Sequence, residues 1–164
     1  MDAYAEYSSL LRNEGSDDLP TVYQGLIYAL IANGYDAGSR ELRTKVASLL
    51  NGGEGLPGSM IAMLTDLAVD AGEALKQGKP QFLMPGEQKD RLQALAGLAY
   101  GTALGLPFKA DGTTFEDHFL MEEVMTLNDI GRVDDEGDFS EEDFKVIVDY
   151  IATTLTKAYR RAHS

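Results

Sequence analysis

Apolar residues along the chain recur three and four positions apart, the period of a helix with one buried face, and no run alternates as a strand would. Tyr4, Tyr7, Leu10 and Leu11 mark a short first helix over residues 2–14, which Gly15 stops. Ser16, Asp17 and Asp18 offer capping oxygens ahead of Pro20, so a second helix is expected from there to about Asn33, with Gly34 as terminator. From Ser39, a candidate N-cap, Leu42, Val46, Leu49 and Leu50 form the stripe of a third, ended by Asn51-Gly52-Gly53. Pro57 and Ser59 open a fourth whose buried face reads Met60, Met63, Leu64, Leu67, Ala68, Ala71 and Leu75, before Gly78. Pro80 and Pro85 then bracket Phe82-Leu83-Met84, a turn no helix can cross.

From Glu87 to Gly105 the pattern begins acidic and turns apolar on most sides, which assigns this fifth helix to the middle of a bundle. Its small residues Ala94, Ala96, Gly97, Ala99, Gly101 and Ala103 allow close approach of a neighbour. A sixth is expected from Thr114 to Ile130 on Phe115, Phe119, Leu120, Val124 and Leu127. The last is capped by Ser140 with Asp143 three residues on, and carries Phe144, Val148, Ile151, Leu155 and Ala158 before Lys157, Arg160 and Arg161 reach its C-terminus. The reading is an all-α fold, one domain over residues 1–164 built as a bundle of about seven helices. That length suits one hydrophobic core.

Composition sharpens the picture in two places. Hydrophobic residues at 44% and charged ones at 25% are ordinary for a globular chain, and zero Cys removes thiol catalysis, thiolate zinc and redox switching. The net charge of −13, from 27 Asp and Glu against 14 Lys and Arg, disfavours nucleic acid and anionic membrane surfaces and favours a basic or amphipathic protein partner. The same charge also serves solubility alone. The N-terminal residues lack the pattern of a secretory signal and no stretch is apolar enough to span a bilayer, so a cytoplasmic protein is expected.

Candidate chemistry is sparse. The acidic loop holding Asp134, Asp135, Glu136 and Asp138 resembles a calcium loop, but with Gly137 at its sixth position Arg132 would occupy the first ligand place. A solvated loop or a partner-docking surface suits it better. His118 and Glu122, four apart, share a helix face with Glu116, Asp117 and Glu123 nearby, and form the centre of an alternative reading as a carboxylate-based enzyme or a small-ligand or metal binder. Two ligands fall short of a metal site, and the other His, His163, lies in the terminal tail. Met60, Met63, Met84, Met121 and Met125 fit core packing better than an adaptable groove. No phosphate loop, dinucleotide fingerprint or nucleophile elbow is present, so no catalytic, cofactor or metal residue is assigned.

Three stretches resemble the YgfB-like and YecA-like family of small bacterial proteins. Pro20-Thr21-Val22-Tyr23-Gln24-Gly25-Leu26-Ile27 is similar to the family's Pro-Ala-Glu-Leu-His-Gly-Leu-Leu, with Gln24 in the His position. Leu83-Met84-Pro85, Arg91, Ala94-Leu95-Ala96-Gly97 and Leu104-Gly105-Leu106 are similar to its Leu-x-Pro, Ala-Leu-Ala-x-Trp and Gly-Leu-Gly, with Leu98 in the Trp position and Pro107 for the final Gly. The acidic loop before Val146-Ile147-Val148-Asp149-Tyr150-Ile151 looks like the family's acidic run before Glu-Glu-Ile-Ile-Glu-Tyr-Val. The resemblance implies an all-α fold, a bacterial cytoplasmic setting, no established enzymatic activity, and a role through protein contacts. The zinc-binding tail of YecA-like members has no counterpart in a chain without Cys. A non-enzymatic interaction or regulatory module is thus expected, with a homodimer as a further expectation; the Phe144, Val148, Ile151 and Leu155 stripe fits a dimer interface and the monomer's own core equally well.

Overall fold

The computed structural model describes residues 3–115, 118–131 and 140–163. They form α1 (Ala3–Asn13), α2 (Pro20–Ala32), α3 (Arg40–Leu50), α4 (Gly58–Lys76), α5 (Gln88–Gly105), α6 (His118–Gly131) and α7 (Glu141–Ala162). The protein is an all-α bundle.

Local chemistry explains most of the helix ends. Ser39 Oγ accepts from Leu42 N at 3.2 Å and Ser140 Oγ from Asp143 N at 3.1 Å, each satisfying a free N-terminal donor. At the end of α2, Gly34 takes φ +108°, where Gly34 N donates to Ile31 O and Tyr35 N to Leu30 O, the paired bonds of a left-handed C-terminal stop. The start of α2 differs from expectation. Its cap position is Leu19 with no side-chain bond, while Ser16 Oγ accepts from Asp18 N at 3.3 Å, so the polar cluster closes a turn ahead of the helix.

A second correction concerns Thr114, which is not helical. Phe108 and Thr114 form an antiparallel bridge, Phe115 N donates to Pro107 O at 2.8 Å, and Asp111 Oδ1 accepts from Thr113 N at 2.9 Å. The Asp111-Gly112 turn therefore folds residues 107–115 back on themselves, and α6 starts at His118.

The helix at the centre is α2. All of its residues are buried, which its sequence allows because Pro20–Ala32 contains no charged side chain. The fifth helix, expected in the middle, is α2's main partner, but its first turn, Gln88 to Asp90, is exposed, as is Tyr100. The two meet along ridges of small residues four apart, Thr21, Gly25 and Ala29 on α2 against Gly97, Gly101 and Gly105 on α5. A methyl on Gly101 would sit 2.0 Å from Val22 O, and one on Gly25 2.3 Å from Leu98 O. Backbone touches backbone there.

Helices α1, α3, α4 and α7 also pack on α2. On α7 Ile151, Thr154, Leu155 and Ala158 are buried, with Phe144 and Val148 half-buried beside the same core. The stripe offered for dimerisation is thus consumed inside one chain, because α2 and α5 need a third apolar surface to close the core. The Met residues at 60 and 63 are likewise core, whereas Met125 is exposed.

Gly101→Ala is expected to cost at least about 3 kcal/mol in urea denaturation, since neither backbone can yield. Gly72→Ala on α4, whose added methyl meets only Ile31 Cγ2 at 3.8 Å, is expected to gain about 0.5–1 kcal/mol from helix propensity.

Candidate functional site

Burying α2 entirely creates a problem, because Gln24 and Tyr28 carry polar atoms into the core. They lie four apart and share a face, and both turn toward the segment joining α4 to α5. That segment, residues 79–85, adopts neither helix nor turn, and Pro80 and Pro85 bar it from extending α4 or α5. Its backbone finds partners on α2. Tyr28 Oη donates to Gln81 O at 2.8 Å and accepts from Gln81 N at 3.0 Å, and Gln24 Oε1 accepts from Leu83 N at 2.8 Å. The Phe82 ring closes edge-on against Tyr28, with centroids 5.2 Å apart. Residues 79–85 are a strap tied to the central helix.

Between strap and α4 lies a cleft of about 400 Å³. It is lined by Gln24 and Tyr28 of α2, Asp70 and Glu73 of α4, Gln77 at the end of α4, and Lys79 and Phe82 of the strap. Gln77 Nε2 donates to Glu73 Oε1 at 2.9 Å. Gln24 is only 7% exposed, and with Oε1 fixed on Leu83 its Nε2 has no acceptor among the described residues. Asp66, Asp70 and Glu73 continue along one side of α4. Together with burial, which is the larger cause, Asp66, Asp70 and Glu6 push the Tyr7 hydroxyl above its usual range. The ion pairs found among the described residues are Lys89 with Glu87 at 3.3 Å and Arg91 with Glu141 at 4.0 Å, both exposed. Neither involves α4.

The acidic loop of Asp134, Asp135, Glu136 and Asp138 lies outside the described residues. Beyond it, Ser140, Glu141 and Phe144 border a small cleft of about 180 Å³ with Gln88, Arg91 and Leu92 of α5. His118 opens α6, but its side chain, like Glu116 and Asp117, is outside the described part. Of the acids near it, Glu122 is exposed and Glu123 turns to α7, where Tyr150 Oη donates to Glu123 Oε2 and Thr154 Oγ1 lies 3.2 Å from the same oxygen. That carboxylate ties two helices. His163 stacks on Tyr159 and its Nδ1 sits 2.9 Å from Tyr159 O at the end of α7. No group of three or more His, Asp or Glu side chains able to hold a metal ion occurs among the described residues. Nor is any described helix long and apolar enough to cross a membrane.

Chemically the cleft offers amide donors, two carboxylates, an aromatic wall and a lysine, groups able to hold a polar or cationic guest. Sequence reasoning named Gln24 only as a replacement for His and passed over Tyr28. The available signal was a Gln and a Tyr in an uncharged helix, two polar groups that must find partners when buried. No protein-family model, curated protein or solved structure matches the chain.

Tyr28→Phe leaves Gln81 N and O without their partner, and is expected to lower stability by roughly 1–3 kcal/mol in urea denaturation. Burial also lifts the hydroxyls of Tyr4, Tyr7, Tyr23, Tyr28, Tyr35 and Tyr150. A folded-state value above the unfolded one favours the neutral phenol, so this stability is full below about pH 10 and is lost as pH rises through the folded values. The urea midpoint is expected to hold to about pH 9.5 and then fall, and Tyr28→Phe to shallow that fall.

Proposed function

We propose that the protein is a non-enzymatic interaction module that binds a basic protein partner through its acidic surface. One observation carries the reading: the carboxylates Asp66, Asp70 and Glu73 follow one another along α4 with no Lys or Arg within ion-pair distance among the described residues. Acids held in line and left unneutralised set up a field that steers cationic surfaces toward them and raises the association rate. The net charge of −13 extends that field over the molecule, and the loop of Asp134, Asp135, Glu136 and Asp138 is proposed as a second contact for the same partner.

Membership of the YgfB-like and YecA-like family is part of the proposal. It rests on the three quoted stretches of sequence. A cytoplasmic setting accords with a chain that has no Cys to oxidise. A homodimer, if formed, uses a face other than the α7 stripe, and light scattering reads it directly.

Affinity capture with the tagged full chain, washed in rising salt, tests the reading. A basic protein is expected to bind at low ionic strength and to be released by about 1 M salt, where the screening length is about 3 Å. Retention of the same proteins at every salt concentration, or capture of acidic proteins alone, contradicts it.

A further inference from the structure

The cleft beside the strap holds more information than its charge. Gln24 is an almost fully buried amide whose oxygen is committed to Leu83 N and whose Nε2 faces a cleft it lines, with no acceptor among the described residues. Its oxygen fixed on Leu83 holds the amide in one orientation, and the nitrogen, open to the cleft, can donate to a carbonyl or similar acceptor that enters. Asp70 and Glu73 line the same cleft, both exposed and three apart on α4, hence neighbours on one face. Phe82 supplies a ring held in place by Tyr28. The volume, about 400 Å³, lies within the roughly 300–1,000 Å³ of sites that enclose small groups.

An amide donor open to the cleft, two carboxylates and an aromatic face together match one kind of guest. We propose that the cleft takes an arginine of the basic partner, its guanidinium held by Asp70 and Glu73 beside Phe82, and a nearby peptide carbonyl accepting from Gln24 Nε2. This inference rests on the reading of the protein as a binder of basic partners. Arginine fits better than lysine because its planar fork pairs with carboxylates two bonds at a time and stacks on a ring. Lys79, which lines the same cleft, disfavours a second cation, so one arginine enters.

Fluorescence anisotropy on the full chain tests this with a labelled short peptide of Gly and Ser around a central arginine, against a twin carrying citrulline there. The arginine peptide is expected to bind, and Asp70→Asn with Glu73→Gln to weaken it about tenfold, the size that two partly exposed ion pairs supply together. Removing two exposed charges elsewhere, Glu41→Gln with Glu54→Gln, is expected to change binding less than about twofold, the remnant of a screened field. Circular dichroism verifies that both pairs of variants fold. Equal weakening by the two pairs overturns the arginine site while leaving the acidic-surface reading intact. Equal binding of the arginine and citrulline peptides, or of neither, also overturns it. Only the salt-stepped capture bears on the reading beneath.

Discussion

Direct contact between the backbones of α2 and α5 is the constraint on which the rest of the structure depends. Gly25 against Leu98 O and Gly101 against Val22 O leave no room for a single methyl, so the two helices lie closer than side chains would permit. Such closeness removes α2 from water on its α5 side, and the remaining helices cover its other sides. Once α2 is wholly interior, polar groups on it are costly to leave without a partner. Gln24 Oε1 and Tyr28 Oη find theirs in the strap, and the strap in turn lines the cleft. The candidate site is therefore a consequence of how the core is closed.

Charge is arranged around that core and contributes little to holding it. The two ion pairs found among the described residues are exposed, and such pairs supply at most about 1 kcal/mol each. Apolar packing and backbone satisfaction carry the fold, and among the described residues most carboxylates have no cation within ion-pair distance. A surface of this kind repels its own copies and attracts basic ones. The α4 acids gain meaning from their position beside a cleft with an open amide donor, since scattered carboxylates would serve solubility alone.

Much of the fold was legible because it rests on local chemistry. Ser39 and Ser140 cap as their side chains require, Gly34 adopts the left-handed stop that other residues resist, and the 3.6-residue stripes of α4 and α7 point inward as their spacing dictates. Where sequence reasoning failed, longer-range pairing decided. Thr114 has helix-compatible neighbours, but the Asp111-Gly112 turn pairs its backbone with Phe108. Ser16 has a capping side chain but spends it on Asp18. The centre was assigned to α5 on its apolar faces, although the ridge of its small residues has a counterpart, Thr21, Gly25 and Ala29, on a helix without charge. The cleft was the least legible feature, because Gln24 and Leu83 are separated by two intervening helices and meet only in the folded chain.

Native-state hydrogen exchange tests this dependence most directly, because it reads the opening free energy of each helix separately. If the α2–α5 contact is the constraint that everything else needs, the amides of Leu26, Ile27, Leu98 and Ala99 will exchange only through global unfolding, with opening free energies equal to the stability from urea denaturation. Amides of α1 and α6, such as Leu10 and Val124, will open at lower cost. Exchange of the α2 and α5 amides through a cheaper local opening, while α1 and α6 stay protected, would contradict it.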